Sequence, residues 1–173
     1  MMRIDHLSRQ RDAIPTIARW HFDQWGLLTG YPSEAEYTGY LRQAAASTAL
    51  PTILVARSGE DILGSASLVR CDMQTRIELT PWLAQVYVSV DARGQGVGAA
   101  LVRAAAGRAG EIGFPVVYLY TSGDLPAFYA RLGWTTHEVT HYLGKERTIM
   151  ELAVGAPSPT ADAPQPPHGR VNK

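Results

Sequence analysis

The chain has 173 residues, 46% hydrophobic and 18% charged, with 16 basic and 16 acidic side chains and a formal net charge of zero. This size and composition suit one domain with a sizeable core and exclude a disordered or fibrous polypeptide. The lack of a basic excess argues against a general nucleic-acid or anionic-membrane binder. The lone cysteine, Cys71, excludes an internal disulfide.

The N-terminal stretch MMRIDHLSRQRDAIP lacks the apolar segment of a secretory signal, and no run of about 18 apolar residues follows, so a cytoplasmic protein is the default expectation. Residues 8–25 place Ile14, Ile17, Ala18, Phe22 and Trp25 on one helical face. Pro15 belongs near a helix start, which makes Asp12 the expected N-cap. Ser33 followed by Glu36 predicts a capping box opening a second helix.

The period then changes. TILVAR (52–57) and ILGSASLVR (62–70) read as two strands around the turn SGED. A more polar stretch, 71–81, leads to a strand over 84–90, a glycine loop, and a helix from about Gly96 to Ile112 with Val97, Leu101, Ala104, Ala105 and Ile112 on one face. PVVYLYT (115–121) is a buried-strand run. LPAFYARLG (125–133) is a short helix stopped by Gly133, and strands near 134–142 and 147–154 complete the pattern. The expected architecture is α/β (α+β): a single domain, 1–154, with helices on both faces of a mixed, mostly antiparallel central sheet. Residues 155–173 hold five of the 11 prolines and are expected to form a disordered tail; its PxxP segment, Pro164–Pro167, is read as part of that tail.

The glycine loop is the most informative stretch. Gly94, Gly96 and Gly98 stand at alternate positions after a strand and at the start of a helix. No GxxxxGK[ST] motif is present. Gly94, Gly96 and Ala99 match a GxGxxA dinucleotide fingerprint formally, but that fold begins with the fingerprint strand and repeats βαβ units, whereas here two helices and three strands precede the loop and only one more buried strand follows. RGQGVG (93–98) suits a different design, in which backbone N–H groups and a helix N-terminus face a pyrophosphate.

The segment 88–98, V-x-V-x-x-R-G-x-G-x-G in character, resembles the acetyl-CoA loop of the GNAT superfamily of acyl-CoA-dependent N-acetyltransferases, and FYARLGW (128–134) resembles its second signature. The likeness covers roughly residues 8–154, with departures at Val90, where the family often has proline, and Ser122, where it often has asparagine. It implies that Arg93, Gly94, Gln95, Gly96, Val97 and Gly98 hold the pyrophosphate of acetyl-CoA, a co-substrate. It also implies that the strand at 86–88 splays from the strand at 116–121. The pantetheine arm would lie in that gap against the backbone of Val86 and Val88, near Ser122 and Phe128.

The resemblance makes Tyr129 the expected general acid toward the CoA thiolate. Glu78, the nearest carboxylate upstream of the strand, is the candidate base acting through water; its alternatives are a solvated loop glutamate, a neutral incoming amine or a water chain. Trp82, Trp25 and Tyr31, with Trp20, are candidates to line the acceptor side, or else belong to helix–sheet core. His137 and His141 would stand about 13 Å apart in a strand, too far for one metal, and no other ligand spacing occurs, so no metal is expected. Cys71 has no activating neighbour in sequence that would make it an acyl acceptor.

The implied activity is direct transfer of acetyl to a primary amine of a small molecule or peptide in a ternary complex, by a monomer or homodimer. No nucleic-acid or membrane partner is expected. A non-catalytic acyl-CoA-binding module and a nicotinamide-dependent oxidoreductase are the competing readings.

Overall fold

The computed structural model describes residues 1–155, so the expectation for the proline-rich tail and its PxxP segment falls outside the described residues. Seven strands form one sheet in the order β1-β2-β3-β4-β5-β7-β6. They are β1 (Met2–His6), β2 (Thr52–Ser58), β3 (Asp61–Val69), β4 (Trp82–Val88), β5 (Val116–Thr121), β6 (Thr135–Tyr142) and β7 (Lys145–Ala153). Every neighbouring pair is antiparallel except β4 and β5, which are parallel. A doubly wound dinucleotide-binding sheet is mostly parallel, whereas this one has a single parallel pair, so the topology is not that of the dinucleotide-binding fold.

Four helices accompany the sheet: α1 (Ile14–Trp25), α2 (Glu34–Ala44), α3 (Val97–Ile112) and α4 (Leu125–Ala130). The α2 start follows the sequence: the Ser33 side chain accepts from the Glu36 N–H at 3.2 Å. The α1 start does not. Asp12 lies in a preceding 3-10 turn, salt-bridged to Arg57, and the residue at the N-cap is Ala13. β1 is an element the sequence pattern did not announce, because an edge strand of five residues with its first two exposed carries little apolar periodicity.

Two apolar layers follow from which helix meets which strand. One packs Leu101, Val102, Ala105 and Ala109 of α3 against Leu54, Leu68, Leu83, Val117 and Leu119 of the sheet. The other packs Ile14, Ile17 and Ala18 of α1 and Tyr37 and Leu41 of α2 against Ile53 and Val55. Successive residues of β2 therefore serve opposite faces, as the twofold repeat of a strand requires.

A polar group sits inside the second layer. His21 is fully buried at the centre of the α1 face. Its Nδ1 lies 2.7 Å from the Tyr37 hydroxyl and its Nε2 2.8 Å from Ser65 Oγ, which satisfies both ring nitrogens. Burial lowers its pKa to about 3, so the imidazole is neutral. This chain of three side chains ties α1, α2 and β3 together beneath β4.

Candidate functional site

β4 and β5 begin side by side and then part. Their only ladder pair is Trp82 with Tyr118, supported by the Tyr118 N–H donating to the Pro81 carbonyl at 3.0 Å. Beyond it a cavity of about 340 Å³ opens, walled by Leu83–Val86 on one side and Leu119–Ser122 on the other. Edge N–H and C=O groups of both strands are thereby left without ladder partners inside the domain, which is costly unless something else pairs with them.

β4 also carries a bulge. Its pairing with β3 jumps from Ser65–Tyr87 to Ser67–Ala84, and Gln85 adopts φ +53°, so Gln85 and Val86 together oppose a single residue. Positive φ is uncommon for a residue other than glycine, and here it falls on the cavity wall.

The glycine loop lies where β4 gives way to α3. Gly94 and Gly96 have φ of +73° and +80°, which explains glycine at both. Gly98 differs: its φ is not in the left-handed region, and an added Cβ would make only ordinary contacts, 3.5 Å from Val88 and 3.8 Å from Phe128. Nothing within the chain demands glycine there. Gly96 caps α3 without any side-chain hydrogen bond, and after the Arg93 N–H, which donates to the Val90 carbonyl at 3.3 Å, the next N–H to find a backbone acceptor is that of Ala100, at 3.0 Å from the Gly96 carbonyl. The N–H groups of Val97, Gly98 and Ala99 are left for an external acceptor at the positive end of a 16-residue helix. Arg93 lies over the Tyr87 ring and donates to the Val88 carbonyl at 3.2 Å, and Gln95 donates to the Asp91 carbonyl at 2.9 Å, so both side chains brace the loop.

Tyr129 reaches the cavity from α4. It is 9% exposed, and burial raises its phenol to about 12, which keeps the proton on oxygen at neutral pH. Phe128 packs edge-on against it, with ring centroids 5.0 Å apart. Ser122 lines the same cavity and accepts a hydrogen bond from Arg147 at 3.3 Å.

Of the remaining expected residues, Trp25 lines this cavity and Tyr31 an adjoining one. Trp20 stacks on Tyr87, with centroids 5.1 Å apart. Trp82 lines neither cavity. It is fully buried with Met73, Leu79 and Ile149, and its indole N–H donates to the Leu79 carbonyl at 2.6 Å, so its role is core. Glu78 is exposed and also lines neither cavity.

The carboxylate at the cavity is Asp72, which sequence reading passed over. The connection between β3 and β4 folds back on itself: Met73 is buried in the core, the Gln74 N–H donates to the Tyr142 hydroxyl at 3.3 Å, and Arg76 forks onto Glu138 with one arm at 2.9 Å. These anchors carry Asp72 to the cavity and leave Glu78, six residues later, outside it. Burial alone raises the Asp72 carboxyl to about 6. The signal that could have found it is its neighbour Met73, an apolar residue that had to turn inward and take the adjacent backbone with it.

Residues 50–136 match the family model described as an acetyltransferase (GNAT) domain. The chain belongs to the GNAT acetyltransferase family. No curated protein matches its sequence. Among solved structures it is similar to an N-acetyltransferase from Staphylococcus aureus Mu50, at 15% identity and TM-score 0.68 over 89% of this chain and 99% of that one. It is likewise similar to the spermidine/spermine N-acetyltransferase of Vibrio cholerae, at 14% identity and TM-score 0.66 over 88% and 92%. A third likeness is to an aminoglycoside 6'-N-acetyltransferase complexed with coenzyme A, at 14% identity and TM-score 0.68 over 95% and 99%. At these identities the likeness is one of fold. The GNAT fold and family expected from the sequence are both found. Among the described residues no helix is long and apolar enough to cross a membrane, and no three His, Cys, Asp or Glu side chains gather as metal ligands.

Proposed function

We propose that the protein transfers the acetyl group of acetyl-CoA directly to a primary amine, with both substrates bound together. The reading is carried by one observation: the parted edges of β4 and β5 frame a cavity that holds a protonated phenol, Tyr129, and a half-buried carboxylate, Asp72, and the same β4 leads through the glycine loop into the uncapped start of α3. The free N–H groups of residues 97–99 suit a pyrophosphate. The unpaired strand edges suit the amides of a pantetheine arm, which would complete them like an added strand. Gly98 leaves room for that close approach. Val86, Val88, Ser122 and Phe128 flank the proposed path.

Asp72 takes the role first expected of Glu78. It accepts one proton from the incoming ammonium and passes it to solvent. The neutral nitrogen attacks the thioester carbonyl carbon, a C–N bond forms and the C–S bond breaks. Tyr129 donates its phenolic proton to the departing sulfur, and the second proton leaving nitrogen restores the phenol. The net change is ammonium plus thioester to amide plus thiol plus one proton. The unpaired bulge at Gln85 lies on the cavity wall where a developing oxyanion could be met by a backbone donor.

A purely acyl-CoA-binding module would need neither Tyr129 nor Asp72 in the cavity. Thiol release from acetyl-CoA in the presence of amines tests the proposal. Tyr129→Phe should lower kcat by about 10²-fold while acetyl-CoA affinity stays within about twofold. A large affinity loss with unchanged turnover would contradict the assigned role.

A further inference from the structure

Resting on the acyl-transfer reading above, we propose that the acceptor is a small amine with a single positive charge and an aromatic or apolar body, seated in a second cavity that meets the acyl cavity at Asp72. This second cavity has a volume of about 320 Å³ and shares Leu28, Asp72, Ala84 and Gln85 with the first. It lies between the turn that follows α1, the Tyr37–Tyr40 stretch of α2 and the β3–β4 connection. Two cavities that meet at one carboxylate give the two substrates separate approaches and a single place to react.

The wall of the second cavity states what can occupy it. Three tyrosines from this side form a continuous aromatic surface: Tyr31 and Tyr40 have ring centroids 5.2 Å apart, and Tyr37 and Tyr40 5.6 Å. Tyr37 is held in place by the buried His21. Flat rings of this kind pack against an aromatic or apolar body and leave hydroxyls at its edge. Asp72 is the single acidic side chain of the lining, and no cationic side chain lines it.

Charge counting then separates the acceptor classes. One carboxylate matches one ammonium. A polyamine or an aminoglycoside would bring further cations to a wall with no second anion for them. An amino acid would bring a carboxylate beside Asp72 with no cation in this cavity to meet it. Arg147 lines the acyl cavity instead, where it is engaged by Ser122 and stands over Tyr120. A volume of about 320 Å³ is at the small end for ligand sites, which fits a compact molecule better than a peptide segment.

The test is thiol release from acetyl-CoA by the full chain with five acceptors: phenethylamine, L-phenylalanine, spermidine, kanamycin and a lysine-containing tetrapeptide amide. Calorimetry with acetyl-CoA is run on the same samples. Phenethylamine is expected to exceed each of the others in kcat/KM by about tenfold or more, a difference of about 1.4 kcal/mol. Tyr31→Ala should raise the KM for phenethylamine several-fold and leave acetyl-CoA affinity unchanged. A preference for any of the other four acceptors overturns the proposal, as does no turnover of phenethylamine by protein that binds acetyl-CoA. Protein that binds no acetyl-CoA sinks the acyl-transfer reading and this inference with it.

Discussion

Asp72→Asn should make the protein less active and more stable, and the gain should depend on pH. In the folded chain burial raises the Asp72 carboxyl from 3.8 to about 6. Above pH 6 the folded state must hold a partly buried charge that the unfolded state keeps in water. A shift of about two units at about 1.4 kcal/mol each sets a ceiling near 3 kcal/mol. Asp72 keeps part of its surface exposed, so about 1–2 kcal/mol is the expected size. For a chain of this length that corresponds to a rise in Tm of about 3–6 °C at pH 8.

The sign reverses nothing at low pH but removes the effect. As pH falls from 6 towards 3.8 the folded carboxyl protonates first, the penalty disappears, and the Asn variant loses its advantage. Thermal melts of both proteins at pH 8 and pH 4 measure this directly. In parallel, kcat/KM of the variant should fall by about 10²-fold, the lower end for loss of a general base. Equal melting temperatures at pH 8, or a gap that persists at pH 4, would refute the claim that Asp72 is held charged in a poorly hydrated site.

Gly98→Ala should fold as well as the wild type, since the new methyl meets Val88 and Phe128 only at ordinary distance. Its acetyl-CoA affinity, read by calorimetry, should nevertheless drop by about tenfold or more. His21 predicts the opposite pH trend to Asp72. Its folded pKa of about 3 lies below the ordinary 6.5, so stability is complete above 6.5 and is lost as pH falls towards 3, with a ceiling of about 4–5 kcal/mol. His21→Gln should flatten that loss in acid-unfolding curves, even if it is less stable at pH 7.

Much of the fold was legible because its signals are local. Ser33 and Glu36 announce the start of α2, Gly133 with φ +92° ends the α4 region, and the apolar run 116–121 is β5, buried at alternate positions. The glycine loop was legible for the same reason, since positive φ at Gly94 and Gly96 leaves a direct mark on the sequence.

The proposed acceptor side was not legible, because it is made by a connection that folds back. Asp72 stands ten residues before β4 and reaches the cavity, while Glu78 stands closer in sequence and does not. What decides between them is the inward turn of Met73 and the Arg76–Glu138 clamp onto a strand more than sixty residues away. His21 was hidden in a similar way. A histidine on an apolar helical face reads as a flaw until Tyr37 and Ser65 are seen to satisfy it. Trp82 misled in the other direction, since an aromatic at the start of a site strand can belong wholly to the core.

The account stands or falls on whether the gap between β4 and β5 and the amides at the start of α3 receive an acyl-CoA. Titration of acetyl-CoA into the full chain by calorimetry measures this most directly. The account predicts saturable binding of one molecule per chain, weakened by Gly98→Ala and unaffected by Tyr129→Phe. Folded protein that gives no heat of binding, or that binds equally well when residue 98 is alanine, would contradict it.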